Sequence, residues 1–181
     1  WKNKMAVWMG EYLLANALIS IVDIKSFDAM MLLSNATRRA SQGELVQIDK
    51  SRKLDIDETT YLQMVSDKTG ALIAAACELG GITTTENDAD RHALKEFGEN
   101  IGIAFQIKDD LFDFEGVQTI IGKTKGRDLK EQKITLPLIH ALERFGPKAR
   151  REVQTLMATP EPSDEQIGQV VARGEEAGGL D

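Results

Sequence analysis

Apolar residues recur at spacings of three and four along nearly the whole chain, and no segment of four to eight residues alternates convincingly between apolar and polar. The first spacing is the period of a helix face, the second that of a strand. The chain is therefore expected to be all-α, a bundle of fairly long helices. Lys4 to Ile21 carries Met5, Trp8, Met9, Tyr12, Leu13 and Ala17 on one stripe, interrupted by Asn16. A second helix is expected from Ser26-Phe27 to about Ile48. Asp57 is placed to cap a third, Glu58 to Leu79, which stops at Gly80-Gly81. Asp88 or Asp90 begins a fourth that reaches about Phe114, before Gly116, and a loop follows to about Asp128. Glu131 to Phe145 reads as a fifth helix interrupted by Pro137 and closed by Gly146-Pro147. Lys148 to Ala158 is a short helix, and Ser163-Asp164-Glu165-Gln166 is a capping box that opens the last one.

Composition narrows the classes of function. With 181 residues, 42% hydrophobic and 28% charged, the chain can bury one sizeable core without disulfides or metals, and residues 1–181 are expected to form one domain. A net charge of -7 argues against non-specific nucleic-acid binding, which needs a basic face. The single Cys77, in an apolar run, cannot form an internal disulfide, so a reduced, cytoplasmic setting is expected. His92 and His140 lie far apart with no partners at ligand spacing. No apolar stretch is expected to reach the roughly 20 residues needed to cross a bilayer, and no signal peptide is expected. The chain opens at Trp1 inside an amphipathic pattern and ends at Gly178-Gly179-Leu180-Asp181, so the bundle is expected to be incomplete at both ends.

The most informative segment is Phe105-Gln106-Ile107-Lys108-Asp109-Asp110-Leu111-Phe112-Asp113. On a helix, Gln106, Asp109, Asp110 and Asp113 fall within one arc of about 100°. Gly98 and Gly102 leave that face bare just upstream. Three carboxylates this close repel one another, and the macrodipole at a helix C-terminus disfavours them further. A bound cation would relieve both effects. Oxygen donors without His or Cys suit Mg²⁺, or Mn²⁺, which commonly uses a few carboxylates together with substrate phosphates. A solvated acidic helix end is the plain alternative.

Just downstream, Gly122 to Lys133 holds Lys123, Lys125, Arg127, Lys130 and Lys133 in an otherwise acidic chain. Glycines at 116, 122 and 126 would let the backbone approach a ligand closely. A cation-loaded acidic face beside flexible lysines suits a diphosphate clamp. Lys68-Thr69-Gly70 interrupts an apolar helix face ahead of the small residues Ala71, Ala74, Ala75 and Ala76, so Lys68 must snorkel or meet an anion. Glu44 and Gln47 lie one turn apart in Gly43-Glu44-Leu45-Val46-Gln47. Taken alone, these last two motifs read as structural.

Together the segments resemble the trans-type polyprenyl diphosphate synthases. The pieces that carry the resemblance are Gly10-Glu11-Tyr12-Leu13-Leu14, Gly43 to Gln47, Lys68-Thr69, Phe105 to Asp113, Gly122-Lys123 and Lys133-Ile134-Thr135-Leu136-Pro137-Leu138, in the family's order and near its spacing. The resemblance implies an isoprenoid-synthase helical bundle, of which this is the C-terminal portion. It also implies a homodimeric, Mg²⁺-dependent transferase that lengthens an allylic diphosphate with isopentenyl diphosphate. It implies that Asp109, Asp110 and Asp113 hold the metal, as the family's second aspartate-rich motif. Lys68 and Lys123 would grip the allylic diphosphate, Thr69 and Gln106 would line the reacting carbons, and Lys133 would act electrostatically nearby. The small-residue helix face would leave room for a greasy chain. The family's first aspartate-rich motif has no match in these residues. A non-catalytic subunit, a terpene cyclase of the same fold and a helical interaction module are the other readings.

Overall fold

The computed structural model describes residues 3–53, 56–116 and 126–180. These residues form nine α-helices and one π-helical turn, with no strand among them, as the helical periodicity requires. The order is α1 (Asn3–Asp23), α2 (Phe27–Lys53), α3 (Glu58–Val65), the π turn (Ser66–Gly70), α4 (Ala71–Ile82), α5 (Asp88–Glu115), α6 (Arg127–Lys130), α7 (Leu136–Arg144), α8 (Pro147–Ala158) and α9 (Asp164–Glu176).

Several helix ends follow from local chemistry. Asp57 caps α3 by accepting from the Thr60 amide, and Ser163 and Gln166 make the full capping box of α9. The cap of α5 is Asn87, which accepts from the Ala89 amide, so Asp88 is the first helical residue. Gly116 ends α5 with φ 69°, a left-handed conformation that suits glycine.

Several boundaries differ from the sequence reading; α2, for one, runs to Lys53 rather than Ile48. The expected third helix is interrupted by the π turn, where the Ala71 amide reaches back to the Ser66 carbonyl. Its second half also runs on through Gly80 and Gly81 to Ile82. Gly81 is not a stop: it makes room for α5, since a Cβ there would sit 3.0 Å from Leu94. The expected fifth helix begins only at Leu136, so Pro137 lies in its first turn, where a missing amide hydrogen is no loss.

The main core gathers Tyr61, Met64 and Val65 of α3 with Phe114, Leu129, Ile134 and Leu138, and with the inner faces of α8 and α9. At the other end, α1 has no buried residue and leaves Trp8, Tyr12 and Leu13 well exposed. By length and composition α1 is apolar enough to cross a membrane, which corrects the expectation that no stretch approaches that length. The charges at Lys4 and Glu11 and the amide of Asn16 break up the apolar run in the sequence, yet an 18-residue window of the helix keeps a mean hydropathy of 1.5.

Between these regions α5 lies against α4 and the π turn with almost nothing between the backbones. A Cβ on Gly98 would fall 2.8 Å from Ala74 Cα, and one on Gly102 would fall 2.8 Å from Gly70 Cα. The bare face at Gly98 and Gly102 is therefore filled by helix-helix contact. Ala71, Ala74 and Ala75 are buried in the same way, and Ala76 is exposed.

This packing sets opposite outcomes for two glycines. Gly98→Val is expected to lower stability by about 1–3 kcal/mol through overpacking. Gly80 has nothing within 4 Å of its Cβ position, so Gly80→Ala is expected to raise stability by about 0.5–1 kcal/mol. Urea unfolding of the two variants and the parent chain checks both signs.

Candidate active site

Three elements deliver the candidate groups. The π turn carries Lys68 and Thr69, α2 carries Glu44 and Gln47, and the last turns of α5 carry Gln106, Asp109, Asp110 and Asp113. Lys68 does meet an anion. Its Nζ lies 2.7 Å from Glu44 Oε2 and donates to Gln47 Oε1 at 2.7 Å. The two motifs that read as structural in isolation are thus partners across a helix interface.

Thr69 faces the other way, toward α5. Its hydroxyl donates to Gln106 Oε1 at 2.9 Å, and Gln106 Nε2 donates to Asp110 Oδ1 at 2.8 Å. The second oxygen of Asp110 accepts from the Tyr61 hydroxyl at 2.6 Å. Thr69, Gln106, Asp110 and Tyr61 therefore form one continuous chain of hydrogen bonds. Tyr61 was not among the sequence candidates, because it lies 49 residues from Asp110 and belongs to no recognisable motif.

The aspartates occupy one face of α5, with Asp110 and Asp113 buried and Asp109 partly so. Burial raises the pKa of Asp110, against the hydrogen bonds from Tyr61 and Gln106, and the charges of Asp109 and Asp113 raise it further. A fourth carboxylate joins them. The Asp128 amide donates to Asp113 Oδ2 at 3.0 Å, which brings the start of α6 against the end of α5. Burial, then repulsion from Asp113 and Asp110, pushes the Asp128 carboxyl up to about 7. In the sequence Asp128 is hidden inside a run of lysines. Burial also raises the Tyr61 hydroxyl, helped by the neighbouring Asp110 and Asp128 charges.

These are hard oxygen donors crowded enough to repel one another, and that chemistry fits a small divalent cation. Among the described residues no group of three or more His, Cys, Asp or Glu side chains converges closely enough to hold a metal ion. The hydrogen bonds explain this: Asp110 is held by Tyr61 and Gln106, and Asp113 by the Asp128 amide.

Lys133 lies between α6 and α7, paired with Glu131 at 2.5 Å and with Asp128 at 3.9 Å. Burial acts to lower its pKa, but Glu131, Asp128 and Glu44 overcome this and hold it above the ordinary lysine value. Lys133, Glu44, Gln47 and Ser51 line a common cleft of about 250 Å³, so Lys133 and the partners of Lys68 face each other across it. Lys123 and Gly122 lie outside the described residues.

The other two loop glycines serve the protein rather than a ligand. Gly116 is the cap of α5. Gly126, at φ 73°, donates to the Asp113 carbonyl, and a Cβ there would come within 2.4 Å of Ile167. His92 pairs with Glu96 and His140 with Glu58, ordinary helix-surface contacts.

Comparison with known proteins places this geometry. The polyprenyl synthetase family matches residues 1–173. The chain belongs to that family. It is 31% identical over 171 residues to heptaprenyl diphosphate synthase component 2 of Bacillus subtilis, covering 94% of this chain and 48% of that protein. It is 34% identical over 181 residues to the geranyl-diphosphate-specific all-trans-nonaprenyl-diphosphate synthase of Rhodobacter capsulatus, covering 100% and 55%. A crystal structure of a polyprenyl synthase from Caulobacter crescentus, complexed with calcium and isoprenyl diphosphate, superposes with a TM-score of 0.91 at 32% identity. That match covers 100% of this chain and 55% of that one. The chain spans about half the length of the curated relatives it matches.

The Tyr61–Asp110 bond yields a test. Tyr61→Phe leaves a buried carboxylate oxygen without its donor and is expected to lower stability by about 1–3 kcal/mol. A denaturation midpoint equal to the parent's would show that Tyr61 contributes packing alone.

Proposed function

We propose that residues 1–181 form one domain, the C-terminal portion of a trans-type polyprenyl diphosphate synthase. The reaction is the condensation of isopentenyl diphosphate with an allylic diphosphate. The allylic C–O bond breaks and diphosphate leaves with the electron pair. The double bond of isopentenyl diphosphate supplies the electrons of the new C–C bond, and loss of a proton restores an allylic product one isoprene unit longer.

One observation carries the reading. The π turn sends Lys68 to one side and Thr69 to the other, and Thr69 is joined through Gln106 to the aspartate face. A group that holds diphosphate thus stands next to oxygens suited to face a cation. In this reading Lys68, Lys123 and Lys133 bind diphosphate. Exchanging Glu44 for a phosphate oxygen keeps Lys68 paired throughout. Thr69 and Gln106 present oxygen dipoles to the positive charge that develops on carbon.

Asp109, Asp110 and Asp113 would hold Mg²⁺ (Mn²⁺ being the alternative), and the support for this is their donor chemistry. When bound, the metal would neutralise charge on the leaving diphosphate. The proposed assembly is a homodimer, supported by the uncovered apolar side chains of α1. The proposed setting is cytoplasmic, supported by the free Cys77. A second reading, a subunit that works with a catalytic partner, has one specific support: two relatives are named component 2.

The test is made in the full-length parent. Asp109→Asn is expected to cut incorporation of labelled isopentenyl diphosphate by orders of magnitude while the protein stays folded. Near-normal incorporation would overturn the assignment of Asp109. A folded parent that binds diphosphate but condenses nothing without a second subunit would favour the partner reading.

A further inference from the structure

The π turn is the single stretch of π winding among the described residues, and it carries Lys68 and Thr69. Such turns are rare and are often placed at functional sites. A single guanidinium ties this one to both neighbouring helices. Arg39 of α2 donates through Nε to Asp67 Oδ1 at 2.6 Å. Through Nη2 it donates to Ser66 Oγ at 2.9 Å and to Glu99 Oε1 at 2.7 Å. Ser66 Oγ donates in turn to Glu99 Oε1 at 2.5 Å. Ser66 and Asp67 immediately precede Lys68, and Glu99 belongs to α5.

The two helices hold the turn in the same three-part way. On α2 the stripe is Arg39, Gly43 and Gln47: the first forms the ion cluster, the second touches the turn's backbone and the third receives Lys68. A Cβ on Gly43 would lie 2.8 Å from the Lys68 nitrogen. On α5 the stripe is Glu99, Gly102 and Gln106: the first forms the ion cluster, the second touches Gly70 and the third receives Thr69. In each stripe an ion, a bare backbone and an amide follow in order. On both helices the ionic side chain comes first and the amide that receives Lys68 or Thr69 comes last, two turns further along the helix.

We propose that Arg39, with Asp67 and Glu99, is a positioning residue: it sets the winding and depth of the π turn and so aims Lys68 and Thr69. This inference rests on the function proposed above for those two side chains. Arg39 touches neither substrate nor metal in it. A lysine in its place keeps the charge but not the planar fork that reaches Asp67, Ser66 and Glu99 together.

Two measurements test it. In the full-length parent, Arg39→Lys is expected to lower kcat about tenfold while the KM for isopentenyl diphosphate stays within about twofold, the mark of misplaced rather than missing groups. In this chain without substrate, amide exchange across Ser66–Gly70 is expected to rise at least about tenfold, with exchange in α8 and α9 unchanged. The triple variant Arg39→Met, Asp67→Asn, Glu99→Gln removes the leftover charges as well. It is expected to melt close to the parent and still to show the low kcat. Unchanged exchange across the turn, or a triple variant that recovers kcat together with stability, would overturn the proposal. A wild-type parent inactive with every allylic diphosphate would count against the proposed function alone, because the exchange measurement still decides the role of Arg39.

Discussion

The site depends on how closely α5 approaches the π turn and α4. Gly98, Gly102 and Gly70 let backbone meet backbone, so Gln106 comes within one hydrogen bond of Thr69. A single methyl group between these helices would move the aspartate face away from the turn that carries Thr69 and Lys68. The stability of the contact comes from close dispersion contact along the interface, where Ile73, Leu94 and Ile103 pack against the glycine positions. Most of the large buried side chains lie in the core that α3, α7, α8 and α9 form with Phe114 of α5 and Leu129 of α6. The architecture thus separates a bulky core, which stabilises the bundle, from a tight seam, which sets distances.

Charge is arranged around that seam in two groups. Carboxylates gather where the end of α5 meets α6: burial and then the charges of Asp109 and Asp113 raise the pKa of Asp110, and burial and then the charges of Asp113 and Asp110 raise that of Asp128. Cations stand at the edges, each already paired: Lys68 with Glu44, Lys133 with Glu131, Arg39 with Asp67 and Glu99. For Lys68 and Lys133 these pairings are exposed enough to be exchanged for a ligand at modest free-energy change. The Arg39 pairing is deeper and shared by three elements, which suits a structural rather than a ligand-facing role.

Much of this was legible in the residues. Local signals located the starts of α3 and α9, because Asp57 and Ser163 act on amides a few residues away. The shared face of Gln106 and the aspartates followed from helix geometry alone. Signals with two uses were read less well. Gly81 resembles a helix stop but serves as a contact point, and Pro137 resembles a break but opens a helix. The π turn escaped although Ser66, Asp67, Thr69 and Gly70 are weak helix formers, because such residues also occur inside ordinary helices and do not by themselves mark a wider winding. Tyr61, Asp128 and Arg39 escaped for a similar reason: each meets its partners across a distance in sequence that only the fold closes.

The hydrogen-bond chain from Thr69 to Asp110 has a polarity. Thr69 gives its only hydroxyl hydrogen to Gln106, and Gln106 gives an amide hydrogen to Asp110. Tyr61 gives its hydrogen to the opposite oxygen of the same carboxylate. Asp110 therefore anchors a relay whose far end is an oxygen with only lone pairs left to offer. Reversing the Gln106 amide would set acceptor against acceptor at Asp110 and bring the Gln106 NH₂ to Thr69 in place of an acceptor. The buried carboxylate in this way dictates the sign of the Thr69 oxygen: electron-rich, with lone pairs to offer and no hydrogen left to give.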